Sequence, residues 1–341
     1  MNFFKTYTMD NDGLLGHKMS APESQAINSL RFLCIVSVVM LHSHVNQYAT
    51  PETLTFLKQM NRVFYIFSPL PVLFLLSGYL FFYHVGERYR LKEDYGRKLR
   101  SRVKGLLVPY LIWNTVGLAV TCVLNKDFII HSFNDFLNCY WPLDPMGHPE
   151  GRAIWFIRNL LFFSIVSPIY YWVVKYLKHF TLLLIAGLYL WDLPVDYLYF
   201  NVYLLAGSYL GYYKISLAKL ASLVSWKTGA MIYMVLMLVH VFFQVRIYFL
   251  EFIPFFVLYG LLLKHKLPEA LSHSSMFIYV SHLYIAYAVT HRYVALLPAA
   301  DWALLVAMPL SFVTTFGICY FTYLVLHRFS PKLVGWLTGG R

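Results

Sequence analysis

The stretch Ile27-Asn-Ser-Leu-Arg-Phe-Leu-Cys-Ile-Val-Ser-Val-Val-Met-Leu-His42 decides the fold class of this chain. With the residues that follow, it forms a mostly apolar run of about 20 residues, the length a helix needs to cross roughly 30 Å of bilayer hydrocarbon. Similar runs recur along the 341 residues, of which 59% are hydrophobic and 13% charged. Soluble domains carry about 45–50% apolar and about 25% charged residues. The composition therefore excludes a soluble globular enzyme and favours an all-α, polytopic membrane protein.

About ten transmembrane helices are predicted. The segments are 27–46, 63–84, 105–124, 154–174, 180–192, 197–213, 228–246, 249–263, 274–291 and 302–326. The fifth and eighth are short, and the stretches 180–213 and 228–263 can be divided in other ways. The expected organisation is a cytoplasmic segment 1–26, a transmembrane domain 27–328 and a cytoplasmic tail 329–341.

The basic residues predict the orientation. With both termini in the cytoplasm, twenty of the 28 Lys and Arg residues fall in cytoplasmic segments and six in outer ones. Cytoplasmic loops of membrane proteins carry such an excess, whereas an odd number of spans would remove it. The same bias accounts for the net charge of +12 without a nucleic-acid partner.

Arg31 and His42 are the first candidate functional residues. Charged side chains inside a membrane are costly and mark functional sites by default. Eleven residues of helix make about three full turns, so the two side chains share one face about 16 Å apart along the axis. This spacing suits transfer between a cytoplasmic anionic donor and an acceptor deeper in the membrane. The alternative is that Arg31 extends to the inner headgroups and His42 hydrogen-bonds a neighbouring helix. Histidine is the usual general base because its pKa near 6.5 lets it accept a proton at neutral pH.

Three further stretches follow in chain order. They are Pro71-Val-Leu-Phe-Leu-Leu-Ser77-Gly78, the basic run from Tyr95 to Pro109-Tyr-Leu-Ile-Trp113, and Trp155-Phe-Ile-Arg158-Asn-Leu160. Together with the Arg31 to His42 spacing, they resemble the motifs of acyltransferase family 3, the membrane-bound O-acyltransferases that modify surface polysaccharides. The resemblance covers nearly the whole chain. The sequence stops at Arg341, so the stand-alone form without a fused hydrolase-like domain is expected.

The resemblance implies an O-acyltransferase of the bacterial inner membrane. The donor would be cytoplasmic acyl-CoA, usually acetyl-CoA, and the acceptor a sugar hydroxyl of a surface or lipid-linked glycan. His42 would deprotonate that hydroxyl for direct attack on the thioester, or an acyl-enzyme would form on His42 or Ser43. Relatives often carry an acidic residue where Asn28 or Ser43 stands here, so a carboxylate orienting His42 would have to come from elsewhere.

Lys98 and Arg102 are predicted to bind the CoA phosphates together with Arg31. They are four residues apart, so a helix presents both on one face. CoA carries a 3′-phosphate and a diphosphate, and Arg and Lys side chains are the usual ligands of such groups. The alternative is an ordinary basic loop, 88–104, lying on anionic membrane lipids.

Ser77 is predicted first as a helix-packing residue. Small residues such as the Ser77-Gly78 pair let helix backbones approach closely. The same small surface would also leave room for the slim pantetheine arm of CoA.

Trp155 and Arg158 are candidates for substrate binding. Arg158 is predicted to contact the acyl carbonyl or the sugar. The alternatives are that it extends outward to the membrane interface or that it pairs with an outer carboxylate. The outer segment 125–153 carries aromatic and acidic residues typical of sugar binding and is a possible acceptor platform. Its His and Asp residues are too scattered for metal-ligand spacing, and no metal is expected.

His282 and Glu251 complete the set of candidates. His282 lies within a predicted span beside polar neighbours, although a lone membrane histidine is more often a helix–helix hydrogen-bonding residue. Glu251 is predicted either to pair with Arg246 or to orient His42.

A secondary transporter of a sugar, an acyl group or a lipid-linked glycan is the alternative function. Intramembrane Arg and His residues would then be substrate or proton sites. Such transporters often contain repeated halves. The sequence has no such repeat, so the transporter is the less favoured function.

Overall fold

The computed structural model describes residues 19–54, 57, 69–83, 93–124, 128–142, 154–190, 196–243, 250, 252–298 and 300–340. Across these ranges the regular structure is helical, without strands. The α-helices are α1 Ala21–His42, α2 Pro69–Tyr83, α3 Glu93–Arg102, α4 Val108–Leu124, α5 Phe133–Tyr140, α6 Trp155–Leu177, α7 Phe180–Leu190, α8 Asp196–Tyr212, α9 Leu217–Ala221, α10 Trp226–Phe243, α11 Phe252–Lys264, α12 Glu269–Leu296, α13 Asp301–Phe329 and α14 Pro331–Thr338. A 3₁₀ turn covers Asn46–Tyr48, and a π-helical turn, Val103–Leu107, joins α3 to α4.

Each of the ten predicted spans overlaps one of these helices, and parts of 63–84, 180–192, 228–246 and 249–263 lie outside the described residues. Four stretches of the described residues are long and apolar enough to cross a membrane. They are Ala21–Tyr48, Glu93–Val123, Trp155–Leu177 and Asp301–Phe329. The helices α2, α7 and α11 are apolar but shorter. The number of spans and the side on which the termini lie stay predictions.

Helix α1 begins six residues before the predicted span because a capping box starts it. The Glu23 backbone N–H donates to Ser20 Oγ over 3.4 Å, and the Ser20 N–H donates to Glu23 Oε2 over 3.3 Å. This reciprocal pairing satisfies two N–H groups that would otherwise lack partners at a helix start. Pro22 in the first turn removes a third such donor. The helix then runs unbroken to His42.

The chain divides into two compact units, and each has its own packing. The first unit comprises residues 74–215 and the C-terminal stretch from Phe329, and the second comprises 19–73 and 216–328. In the second unit, α1 packs against α11 and α12. The Phe32 ring of α1 also meets Phe316 of α13 edge to face, with centroids 6.1 Å apart.

Three glycines bring the backbones of α2 and α8 together in the first unit. A Cβ at Gly78 would overlap the Leu204 carbonyl, one at Gly207 the Leu75 carbonyl, and one at Gly211 the carbonyl of Tyr79. Gly207 and Gly211 form a Gly-x-x-x-Gly pattern, which lets membrane helices approach closely. The prediction that Ser77-Gly78 marks close helix packing is therefore confirmed.

Candidate functional site

The α1 helix carries Arg31 and His42 in the predicted register. Both residues lie within the unbroken helix Ala21–His42, so the three-turn spacing between them holds. Arg31 is half-buried, and His42, the last residue of the helix, is exposed. His42 is therefore the more accessible of the two residues.

His282 of α12 lies directly against His42. The two ring centroids are 5.2 Å apart, and the rings are tilted by 45°. Unlike His42, His282 is fully buried. The structure therefore brings together two candidate histidines that are 240 residues apart in the sequence.

The hydrogen bonds of His282 define its tautomer. Its Nδ1 lies 2.7 Å from the carbonyl oxygen of Tyr279. Because a carbonyl oxygen only accepts, Nδ1 carries the hydrogen, and Nε2 of the neutral ring carries a lone pair. That Nε2 is buried and has no hydrogen-bond partner within the described part of the chain. Buried polar atoms are rarely left unpaired, so this nitrogen requires an explanation.

Ser43 follows His42 in the sequence but differs from it in exposure. Its side chain is fully buried, and its hydroxyl donates to the Val39 carbonyl over 2.9 Å. The hydroxyl is thus occupied by its own helix and inaccessible to a substrate.

Lys98 and Arg102 share one face of α3, where both meet the Phe81 ring of α2. The Lys98 ammonium lies 4.2 Å and the Arg102 guanidinium 5.6 Å from the ring centroid. The Lys98 Nζ also donates to the Phe81 carbonyl. Two basic groups therefore lie within cation–π distance of the same ring. Arg31 belongs to the other unit, and a joint phosphate-binding role for the three residues stays a prediction.

Arg158 is buried in the first turn of α6. Only 3% of the residue is exposed, so its side chain does not extend into solvent. Pairing with an outer carboxylate stays a prediction. The Tyr110 hydroxyl of α4 is close enough to interact with its charge. That hydroxyl in turn donates to the Tyr140 carbonyl, which lies in the predicted acceptor segment 125–153. Tyr110, whose hydroxyl bonds to that segment, is therefore an electrostatic neighbour of Arg158.

Trp155 lies in an aromatic cluster one turn before Arg158. Its ring centroid is 5.3 Å from that of Phe200 and 6.3 Å from that of Phe74. Phe74 and Phe200 also line a small cavity together with Phe162, Leu204 and the amides of Asn159 and Asn201.

Neither of the two cavity asparagines was predicted from the sequence as a site residue. Asn159, which follows Arg158, is a polar residue inside an apolar run, and that signal was available. Asn201 accepts a hydrogen bond from the Tyr170 hydroxyl, a pairing that depends on how α6 and α8 pack.

Two of the other predictions concern residues that lie wholly or partly outside the described ranges. Glu251 and its predicted partner Arg246 lie outside the described residues, as do 125–127 and 143–153 of the acceptor segment. Within the described ranges, no three His, Cys, Asp or Glu side chains come together as metal ligands.

The comparisons with known proteins identify the family. The family model described as an acyltransferase domain, acyltransferase family 3, matches residues 24–324. The chain therefore belongs to acyltransferase family 3, and it is a membrane protein.

One curated relative is similar over part of the chain. The succinoglycan biosynthesis protein ExoH of Rhizobium meliloti (strain 1021) is 25% identical over 190 residues. The match covers 52% of this chain and 50% of ExoH, so the chain spans about half the length of that relative. No solved structure matches the chain.

Proposed function

We propose that this protein transfers an acyl group, in particular acetyl, from cytoplasmic acyl-CoA to a sugar hydroxyl of a surface or lipid-linked glycan. Membership of acyltransferase family 3 supports the reaction type. The name of ExoH, a protein of succinoglycan biosynthesis, supports a polysaccharide acceptor. The observation that carries the proposal is the exposed His42, three helical turns from Arg31 and against the buried His282.

The proposed chemical step is direct transfer with His42 as the general base. The acceptor O–H proton passes to a ring nitrogen of His42, and the oxygen forms a bond to the thioester carbonyl carbon. The tetrahedral intermediate then collapses as the C–S bond breaks, and the CoA thiolate takes the proton from His42. A thioester is already activated, so a positioned base contributing about 10²–10⁴-fold supplies much of the required acceleration. Direct transfer is favoured over an acyl-enzyme on Ser43 because the Ser43 hydroxyl is buried and already hydrogen-bonded.

Two groups of residues in the first unit are proposed to bind the substrates. Lys98 and Arg102 hold the phosphates of CoA, which is supported by their shared position on the Phe81 ring. Trp155 and the buried Arg158 contact the acceptor. Aromatic faces suit sugar rings, and a buried guanidinium donates hydrogen bonds to hydroxyl or carbonyl oxygens.

The proposed location is the bacterial inner membrane, with ten spans and both termini in the cytoplasm. The excess of Lys and Arg in the segments assigned to the cytoplasm supports this orientation. It places the basic helix α3 on the side where acyl-CoA is available.

The test is transfer of labelled acetyl groups in membranes that contain the protein. Membranes with wild-type protein, His42→Ala or the control His44→Ala are incubated with CoA that carries a labelled acetyl group. Alkali-labile label in the glycan fraction is then measured at equal protein levels. His44 is also exposed and lies two residues beyond His42, which makes it a matched control. We expect His42→Ala to transfer label at least about 100-fold more slowly than wild type, and His44→Ala to keep the wild-type rate. Equal labelling by wild type and His42→Ala would remove His42 from the base role.

A further inference from the structure

We infer that His282 is the positioning residue of His42, acting through the lone pair on its buried Nε2. A ring N–H of His42 donates to this nitrogen, which leaves the other ring nitrogen of His42 unprotonated and directed at the acceptor hydroxyl. This inference rests on the proposed function, and it assigns to a neutral imidazole the task that a carboxylate performs in many hydrolases.

The first support is the state of the His282 ring. Its Nδ1–H is committed to the Tyr279 carbonyl over 2.7 Å, so Nε2 is the acceptor. That atom has no hydrogen-bond partner among the described residues. A buried acceptor without a partner has lost its hydrogen bonds to water, so a donor at this position stabilises the fold.

The second support is the position of the two rings. The ring centroids are 5.2 Å apart, and a ring nitrogen lies about 1 Å from its centroid, so a rotation of the His42 side chain can bring one of its nitrogens within hydrogen-bond distance of Nε2. Catalytic hydrogen bonds are often long in the absence of substrate and tighten once substrate binds.

The third support is the difference in exposure between the two histidines. His282 is 0% exposed, so it cannot touch an acceptor directly. His42 is exposed, so it is the histidine that meets substrate. When His42 gains the proton of the acceptor, its second N–H keeps the bond to Nε2 and shares the positive charge with a polarisable ring. A purely apolar neighbour would leave that charge unsupported.

Two variants of His282 separate positioning from anchoring. The amide of Asn reaches the position of Nδ1, so His282→Asn preserves a donor for the Tyr279 carbonyl but removes the acceptor at Nε2. The amide of Gln reaches the position of Nε2, so His282→Gln preserves the acceptor that faces His42. If His282 only anchors its own helix, the Asn variant should keep more activity than the Gln variant. If His282 positions His42, the Gln variant should keep more.

The experiment measures acetyl transfer by the full chain in membranes, with rates expressed per amount of monodisperse protein recovered. We expect His282→Asn to lower kcat about 10- to 100-fold and to leave the KM for acetyl-CoA unchanged. His282→Gln is expected to retain several-fold more activity than His282→Asn. In a His42→Ala background, His282→Asn is expected to cause no further loss, because residues acting as one unit are not additive.

Equal losses in the Asn and Gln variants, or a smaller loss in the Asn variant, would overturn the inference and leave His282 as a packing residue. An additive loss in the double variant would overturn it too. The proposed function fails by a different result, namely no acetyl transfer from acetyl-CoA to glycan by the wild-type protein.

Discussion

Among single residues, Ser43 distinguishes direct transfer from an acyl-enzyme. Its hydroxyl is fully buried and donates to the Val39 carbonyl. The variant Ser43→Ala should therefore keep acyl transfer close to the wild-type rate and lose about 1 kcal/mol or less of stability. The measurement is initial rate at saturating donor, with His44→Ala as a neighbouring control. Loss of activity on the scale of His42→Ala would instead support an acyl-enzyme on Ser43.

Lys98 has a structural and a proposed functional role at once, and kinetics separate them. Replacing it by Met removes the charge and keeps most of the side-chain volume over Phe81. Since a hydrogen bond to a charged group contributes about 1.5–3 kcal/mol, the KM for acyl-CoA should rise roughly tenfold or more with little change in kcat.

The control for Lys98 is Lys104, which is exposed in the π-helical turn that follows α3. Lys104→Met should leave the KM for acyl-CoA unchanged. A donor that lacks the 3′-phosphate distinguishes direct phosphate binding from indirect disruption. If Lys98→Met raises the KM for this shortened donor as much as the KM for intact acyl-CoA, Lys98 does not bind the 3′-phosphate.

At the level of elements, the backbones of α2 and α8 approach so closely in the first unit that the contact requires glycine. A Cβ at Gly207 would overlap the Leu75 carbonyl, whereas a Cβ at Gly187 of α7 meets nothing within 4 Å. Gly207→Ala should lower stability by about 1–3 kcal/mol because neither helix backbone can shift freely. Gly187→Ala should be neutral or slightly stabilising, since Ala favours helix over Gly by about 1 kcal/mol. Thermal unfolding in detergent compares the two, and equal melting temperatures would contradict the close contact.

Local patterns in the sequence predicted the helices but only some of their partners. The register of Arg31 with His42, and of Lys98 with Arg102, follows from helix periodicity alone once each pair lies on one continuous helix. The approach of His282 to His42 depends instead on how α1 packs against α12, and no local pattern encodes it.

Helix ends and buried side chains also differ in whether local sequence or packing determines them. The start of α1 at Ala21 was readable from the Ser20-Ala-Pro-Glu23 capping box. The burial of Arg158 was not, because an arginine near a helix end can extend to a membrane interface or turn inward, and only the packing around it decides.

For the whole molecule, the predicted orientation can be tested by cysteine labelling. In a background without the four native Cys residues, Ser101→Cys and His131→Cys each introduce one exposed thiol. An impermeant maleimide should label Ser101→Cys in inside-out vesicles and His131→Cys in right-side-out vesicles. The reason is that the predicted span 105–124 separates a basic cytoplasmic segment from an outer one. Labelling of both from the same side would contradict the orientation and the proposed access of acyl-CoA to α3.

The central claim is that this membrane protein moves an acyl group from CoA to a glycan hydroxyl by means of His42. The most direct measurement follows both products at once, with the protein in vesicles that contain a lipid-linked glycan acceptor and acetyl-CoA. Free CoA thiol and alkali-labile ester on the glycan are counted in the same samples. The account predicts equal amounts of the two products with wild-type protein and at least about 100-fold less of both with His42→Ala. Thiol release without ester, or ester formation that is independent of His42, would contradict it.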